Sequence, residues 1–277
     1  MNQQEWNYRS FDWNRVWRTH HAQKVMNERT GVKHWDKRAK DFTRAVTRDD
    51  YVEQFLNMCD VRPGESVLDV GAAAGTLAVP LSAKASIVTA LEPSHMMRML
   101  LEERCIKDGV LNINAVEGRW EDDWDALGIG VHDVAIASRS LIVNDLGMAI
   151  EKLQSHARRR VYLATLVDDG PFDRNLIMAV GRDFNPGIDY IVVLNYLRQI
   201  GIYANLTFTV HREDRVFAGL DEAVEGLAWM VYEITEEERA RLRDHLSRTL
   251  VPRGDHLAMP RTQTVRWAVL WWDREHS

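Results

Sequence analysis

The sequence predicts an α/β protein built on a doubly wound parallel sheet. Three observations support this prediction. From Ser66 onward, short apolar strands alternate with helical segments, as in right-handed β-α-β crossovers. Asp133–Ala137 is an almost continuous apolar run, typical of a strand that is covered on both faces. Finally, Ser66–Ser82 reads as a strand, a turn of only Gly and Ala residues, and a helix.

The individual elements follow from the hydrophobic pattern and from turn residues. Strands are expected at Val67–Val70, Ser86–Leu91, Ile113–Val116, Asp133–Ala137, Val161–Val167, Ile202–Val210 and Thr262–Trp272. The helices among the first five strands are expected at Thr76–Ala83, from the N-cap Ser94 to about Lys107, and at about Asp145–Ala157.

The organisation of the chain is predicted to change at two places. Residues 1–60 read as helices that form an N-terminal extension or lid, with one helix at about 12–27 and another directly after Asp50. Residues 61–277 form the main domain, with a helical insertion at about 170–200 and 219–250. We expect one large domain because 277 residues can bury a sizeable core.

Composition excludes several classes of protein. The formal net charge of −6 gives no general reason to bind nucleic acid or an anionic membrane. No apolar run is long enough to cross a bilayer, and the first residues lack the pattern of a signal peptide. Cys59 and Cys105 lack metal-ligand spacing, so we expect reduced thiols, no metal, and a cytoplasmic location.

The turn after the first strand predicts a nucleotide-cofactor site. Gly71 and Gly75 allow a sharp turn, and the free N–H groups of such a turn and of a helix N-terminus point toward a ligand. Asp69 lies two residues before Gly71. The spacing differs from the G-x-G-x-x-G of dinucleotide-binding proteins, which disfavours an NAD-dependent oxidoreductase.

This segment resembles the first motif of class I S-adenosylmethionine-dependent methyltransferases, D/E-x-G-x-G-x-G, with Ala73 in place of the middle glycine. Leu91-Glu92-Pro93-Ser94-His95-Met96-Met97 resembles their second motif, an acid at a strand end followed by Ser-x-x-Met. Glu117-Gly118-Arg119-Trp120-Glu121-Asp122 and Asp133–Leu141 fall where the third and fourth motifs occur. The four motifs stand in the family's order.

The resemblance implies a Rossmann-like seven-stranded sheet, mostly parallel with an antiparallel last strand. It implies S-adenosylmethionine as cofactor and S-adenosylhomocysteine as product. The cofactor-binding residues that it implies are Asp69, Gly71, Ala73, Gly75, Glu92, Pro93, Met97, Trp120, Glu121 and Ser138. Glu92 is expected at the ribose hydroxyls, Met97 against the adenine face, and Trp120 and Glu121 near the adenine edge.

The methyl acceptor is expected over the carboxyl ends of the strands. Trp35-Asp36-Lys37-Arg38-Ala39-Lys40-Asp41-Phe42 resembles the family's aromatic element ahead of the first strand. The lid and pocket candidates are Trp35, Phe42, Arg139 and Tyr190. An aromatic lid favours a small-molecule acceptor. The donor is already activated, so no side chain is nominated as nucleophile or general base.

Alternatives stay open at this point: an RNA or protein acceptor, or a nucleotide-binding protein without catalysis. The fourth strand is followed by Ser138-Arg139-Ser140-Leu141, and this disfavours the enzymes that methylate planar amino groups, which have Asn/Asp-Pro-Pro-aromatic there. Nucleic acid as a partner is also disfavoured by the acidic net charge.

Overall fold

The structure is a computed structural model that describes residues 10–23, 31–33, 35–37, 39, 50–185 and 187–274, and it contains a sheet of seven strands. The strands are β1 Ser66–Val70, β2 Ile87–Leu91, β3 Ile113–Val116, β4 His132–Ser138, β5 Ala157–Leu166, β6 Asn205–Glu213, β7 Val216–Phe217, β8 Val251–Arg253, β9 His256–Ala258 and β10 Gln263–Asp273. The helices are α1 Trp13–Gln23, α2 Tyr51–Met58, α3 Ala78–Ser82, α4 His95–Asp108, α5 Leu146–Ser155, α6 Arg174–Ala179, α7 Tyr190–Gln199, α8 Leu220–Ala228 and α9 Glu236–Thr249.

The strand order in the large sheet is β3-β2-β1-β4-β5-β10-β6. The five strands from β3 to β5 are paired in parallel, for example with Val67 opposite Val88 on one side and Val134 on the other. The last strands are antiparallel. The predicted fold class is therefore confirmed. Its physical basis is visible in β1 and β4, whose central residues are completely buried, as is typical of parallel strands that are covered on both faces.

The helix caps explain why several helices begin and end where the sequence predicts. Ser94 accepts a hydrogen bond from the Met97 amide at the start of α4, and Gly109 ends that helix in a left-handed conformation. Asp145 caps α5 in the same way. The larger differences concern three elements. The helix α3 begins at Ala78 rather than Thr76 because the turn continues to Leu77. The strand β5 begins four residues earlier than predicted, and β6 is Asn205–Glu213, three residues later at both ends than the predicted Ile202–Val210.

The described chain divides into two units. The first consists of Met1–Thr165, Ile188–Thr209 and Ala268–Ser277, and the second of Leu166–Gly187 and Val210–Trp267. The predicted boundary at residue 60 stays a prediction. The helix predicted at 12–27 is present as α1, and residues 24–30 lie outside the described chain. Among the described residues, no helix is long and apolar enough to cross a membrane.

The second unit has a core of its own. Leu176, Leu227 and Leu242 from α6, α8 and α9 are fully buried in one apolar cluster. Arg182 makes a bidentate ion pair with Glu238, whose side chain also closes a capping box with Thr235. A small antiparallel sheet, β7-β9-β8, completes the unit. Strands of two or three residues are too short to show alternation in the sequence, so this sheet was not predicted.

Three consecutive arginines connect strands at the amino-terminal edge of the large sheet. Their ion pairs are Arg158–Asp133, Arg159–Glu65 and Arg160–Asp273. The pair of Arg159 and Glu65 is bidentate, with N–O distances of 2.6 and 2.7 Å, and both side chains are mostly buried. This contact joins the start of β5 to the residue before β1, so it stabilises the strands that end at the candidate site.

We expect Arg159→Met to lower the free energy of unfolding by about 2 kcal/mol, because it leaves Glu65 poorly solvated and without its cation. The matched control is Arg62→Met, which removes an exposed pair with Asp60 and is expected to change stability by less than about 0.5 kcal/mol. Urea unfolding followed by tryptophan fluorescence measures both variants. Equal losses of stability in the two variants would contradict a stabilising role for the pair of Arg159 and Glu65.

Candidate functional site

The turn that follows β1 has a backbone that larger residues could not adopt. Gly71 has φ 74°, and a Cβ atom there would lie 2.3 Å from Cβ of Ser140. The Ser140 hydroxyl donates to the carbonyl of Val70 at 2.5 Å, which brings the segment after β4 against this turn. A tight backbone with space above it is what a nucleotide cofactor requires.

Ala73 adopts a conformation that favours glycine. Its φ is 48°, in the left-handed region, and its amide donates a hydrogen bond of 2.9 Å to Oε2 of Glu92. The substitution of alanine for the family's middle glycine therefore leaves the backbone of the motif in the glycine-like conformation. The contact with Glu92 holds this conformation in place.

Glu92 links the turns that follow β1 and β2. Its Oε1 accepts from the Ser94 amide at 2.8 Å while Oε2 accepts from Ala73. Burial raises the pKa of Glu92, and these two amides oppose the rise by stabilising the carboxylate. Ser94 is in turn held by Asp36, whose Oδ1 accepts from its hydroxyl at 2.6 Å.

Asp69 is buried at the end of β1 and interacts with the N-terminus of α3 through the Ala78 amide. Its other oxygen, Oδ2, is buried and has no hydrogen-bond partner among the described residues. Burial, followed by the nearby charge of Glu92, raises the pKa of Asp69 to about 7. The site thus contains two carboxylates, Asp69 and Glu92. Asp69 is the more deeply buried of the two, and one of its oxygens lacks a hydrogen-bond donor.

An indole forms another wall of the site. Trp120 donates from its ring nitrogen to the carbonyl of Ser140 at 2.9 Å and packs against Trp124. Lys152 donates to the carbonyl of Trp120 at 2.7 Å, and to that of Asp122, so α5 supports this segment from behind. These contacts fix the position of the Trp120 ring.

The end of β4 supplies a hydroxyl and a cation. The Ser138 and Tyr51 hydroxyls are hydrogen-bonded at 2.6 Å, and the guanidinium of Arg139 lies over the Tyr51 ring, 4.0 Å from its centre. Arg139 has φ 57°, and its amide donates to the carbonyl of Ala164 on β5. Tyr51 was not predicted as a site residue because its contribution depends on α2 packing beside β4.

These elements surround a cavity of about 410 Å³. Eleven of the predicted residues line it: Trp35, Asp69, Gly71, Ala73, Glu92, Pro93, Met97, Trp120, Glu121, Ser138 and Arg139. Gly75 does not line it; a Cβ atom there would lie 2.4 Å from Leu101, so this glycine serves helix packing. Tyr190 is also absent from the lining, and its ring packs against Phe208. Phe42 lies outside the described residues.

The structure adds residues that the sequence analysis did not select. Thr76, Ser140, Ile142 and Asn144 also line the cavity. Ser140 belongs to the quoted segment after β4, and its role could have been inferred only from the close approach to Gly71. No group of three or more potential metal ligands occurs within the described ranges.

Comparisons with known proteins agree with this architecture. No family model matches the chain. An uncharacterized protein of Haemophilus influenzae is 32% identical over 243 residues, which cover 86% of this chain and 88% of that protein. A Methanosphaera stadtmanae protein described as a probable ribosomal RNA small subunit methyltransferase A is 30% identical over 69 residues, covering 25% of this chain and 26% of that protein.

The fold has a counterpart among solved structures. A candidate methyltransferase from Bacillus halodurans superimposes with a TM-score of 0.56 at 11% identity, covering 81% of this chain and 99% of that one. At this identity the similarity shows the fold alone. The chain has the Rossmann-like fold of class I methyltransferases.

We expect two substitutions in the turn after β1 to differ in their effect on the free energy of unfolding. Gly71→Ala should lower the free energy of unfolding by about 2 kcal/mol or more, because its Cβ overlaps Ser140. Ala73→Gly should not lower it, because relief of the left-handed strain offsets the added chain entropy. Urea unfolding measures both, and a destabilised Ala73→Gly variant would contradict this account of the turn.

Asp69 should make stability depend on pH. Its pKa is near 7 in the folded chain and near 4 when unfolded, so between these values only the unfolded state is ionised. The free energy of unfolding therefore decreases as pH rises from about 4 to about 7. Asp69→Asn removes this pH dependence. The free energy of unfolding of the variant, minus that of the wild type, should therefore increase by roughly 3 kcal/mol from pH 5 to pH 8.

Urea unfolding at the two pH values tests this. Glu103→Gln, on the exposed face of α4, is the control and should show no such change. A stability difference between Asp69→Asn and wild type that is the same at both pH values would contradict the raised pKa.

Proposed function

We propose that this chain, which belongs to the same family as the Haemophilus influenzae protein and has the class I methyltransferase fold, is an enzyme that uses S-adenosylmethionine to methylate a small molecule. The cofactor supplies a methyl group on a positively charged sulfonium, ready for displacement by a nucleophile. The residues of the cavity must therefore bind a cationic nucleoside and hold an acceptor in line with it.

The pair of buried carboxylates is the observation that most supports this cofactor. Asp69 has an oxygen without a donor, and the charge of Glu92 raises its pKa further. An ammonium group can donate a hydrogen bond to the oxygen that lacks a donor, and the positive charge of an ammonium or a sulfonium group favours the ionised form of both carboxylates. The pyrophosphate of a dinucleotide would instead place negative charge in the same cavity, so this pair argues against NAD.

The other cavity residues fit the remaining parts of the cofactor. Glu92 keeps lone pairs on both oxygens, and a carboxylate there can accept from two ribose hydroxyls. Gly71 lines the cavity, so a ligand can contact its backbone. We assign Met97 to the adenine face, and Trp120 and Glu121 to its edge, because all three line the cavity.

A small acceptor is favoured by the walls of the cavity. Trp35 and Trp120 line it together with Gly31 and Val32, so apolar surface excludes water from the reacting groups. Catalysis here consists mainly of orientation, and no side chain is assigned as a general base. We also propose a cytoplasmic location, because Cys59 and Cys105 are free thiols that a reducing compartment would preserve.

RNA is the second candidate acceptor. The observation in its favour is the similarity of 69 residues to the Methanosphaera stadtmanae protein, whose description names ribosomal RNA. That match covers a quarter of each chain, and the net charge of −6 disfavours binding to a polyanion.

Calorimetry with S-adenosylhomocysteine tests the cofactor assignment. We expect binding at about micromolar Kd, and no response to NADH. Glu92→Gln should weaken binding at least about tenfold, because its amide group replaces an acceptor oxygen and faces backbone donors. The control is Glu103→Gln, which lies outside the cavity and should bind normally. Binding of NADH alone would overturn the proposal.

A further inference from the structure

The backbone at the end of β4 directs a cation into the cavity. Arg139 has φ 57°, a conformation that residues other than glycine rarely adopt, and it lines the cavity. Its amide donates to the carbonyl of Ala164 on β5 at 2.9 Å, so the sheet holds the strained residue in place. Strain that persists at a ligand cavity is a reason to look for a function of the side chain.

A buried tyrosine fixes the orientation of this cation. The Arg139 guanidinium lies 4.0 Å from the centre of the Tyr51 ring, and Tyr51 is only 1% exposed. The five N–H donors of a guanidinium lie in its own plane, so a contact on its face does not use them, and their number allows the group to bind the two oxygens of a carboxylate or phosphate beside its other partners. The Tyr51 hydroxyl is hydrogen-bonded to Ser138, which also lines the cavity.

The charges in the cavity are separated between its two sides. Asp69 and Glu92 lie at the ends of β1 and β2, whereas Arg139 follows β4. The strand β4 is two strands away from β2, which corresponds to roughly 10 Å. The carboxylate side fits the cationic cofactor, and the arginine side fits a ligand of opposite charge.

We propose that Arg139 binds an oxyanion of the methyl acceptor, a carboxylate or phosphate group, so that the substrate is an anionic small molecule. Ser138 lies beside Arg139 and offers a hydroxyl to the same group. Tyr51 acts as a positioning residue for both. This inference rests on the proposed methyltransferase function and specifies the class of its acceptor.

The experiment first establishes cofactor binding and then measures methyl transfer. Wild-type protein is titrated with S-adenosylhomocysteine. It is then incubated with methyl-labelled S-adenosylmethionine and a bacterial metabolite extract that anion exchange has separated into retained and unretained fractions. We expect the labelled product to arise from the retained, anionic fraction. In parallel, phosphate and benzoate should raise the Tm of the S-adenosylhomocysteine complex, and benzamide should not.

Arg139→Gln is the central variant. It should lower kcat/KM for the anionic fraction at least about 30-fold and abolish the Tm rise with benzoate, while the Kd of S-adenosylhomocysteine stays within about twofold. The matched control is Arg198→Gln, because Arg198 stacks on Tyr203 on the surface, away from the cavity. This control should behave as wild type in every measurement.

The role of Tyr51 has a separate readout. Tyr51→Phe keeps the ring beside Arg139 and removes only the hydrogen bond to Ser138, so KM for the anionic acceptor should rise less than in Tyr51→Leu. Tyr51→Leu removes the ring and should raise KM with kcat nearly unchanged, as expected for lost positioning of a binding group. Equal effects of the two substitutions on KM would overturn this role.

The outcomes distinguish this inference from the proposed function. If wild-type protein binds neither S-adenosylmethionine nor S-adenosylhomocysteine, the proposed function fails. If the cofactor binds but the label enters neutral or cationic products, RNA or protein, the acceptor class is wrong. The same conclusion follows if no anionic product forms and neither phosphate nor benzoate raises Tm. A loss of S-adenosylhomocysteine affinity in Arg139→Gln would assign Arg139 to the cofactor instead.

Discussion

The two backbone amides that donate to Glu92 are the contact on which the site depends. Ala73 follows β1 and Ser94 follows β2, so one buried carboxylate joins two turns that are distant in the chain. It also holds Ala73 in a left-handed conformation that alanine alone disfavours. This contact therefore connects the turn after β1 to Ser94, the residue that caps α4.

Burial of Asp69 beside Glu92 is unfavourable in the protein alone, because neither carboxylate is fully hydrated and one oxygen lacks a donor. Favourable contacts elsewhere in the fold must offset this unfavourable free energy. At the opposite edge of the sheet, the pairs of Arg159 with Glu65 and Arg160 with Asp273 connect the strands that hold the site. These ion pairs thus stabilise the sheet at one edge, and the buried carboxylates, with their raised pKa values, lie at the other. Such perturbed carboxylates are typical of binding sites.

Predictions from the sequence are most accurate where local chemistry decides the structure. The strand Ile113–Val116 has the predicted bounds, and Ser94 caps the start of its helix as predicted. These predictions are least accurate where the residues in contact come from distant parts of the chain. Tyr190 was expected at the site, but its ring packs against Phe208, and Gly75 serves the packing of Leu101.

By itself the sequence determined the alternation of strands and helices, the glycine turn and the acid at the end of β2, because these depend on spacing and on residue type. Only the tertiary structure decided that Ser140 closes on Gly71, that Asp69 keeps an unpaired oxygen, and that Tyr51 stacks beneath Arg139. Each of these features depends on two segments meeting in space at a distance of a few ångströms. Such proximity is set by the packing of strands and helices, and no local pattern in the sequence encodes it.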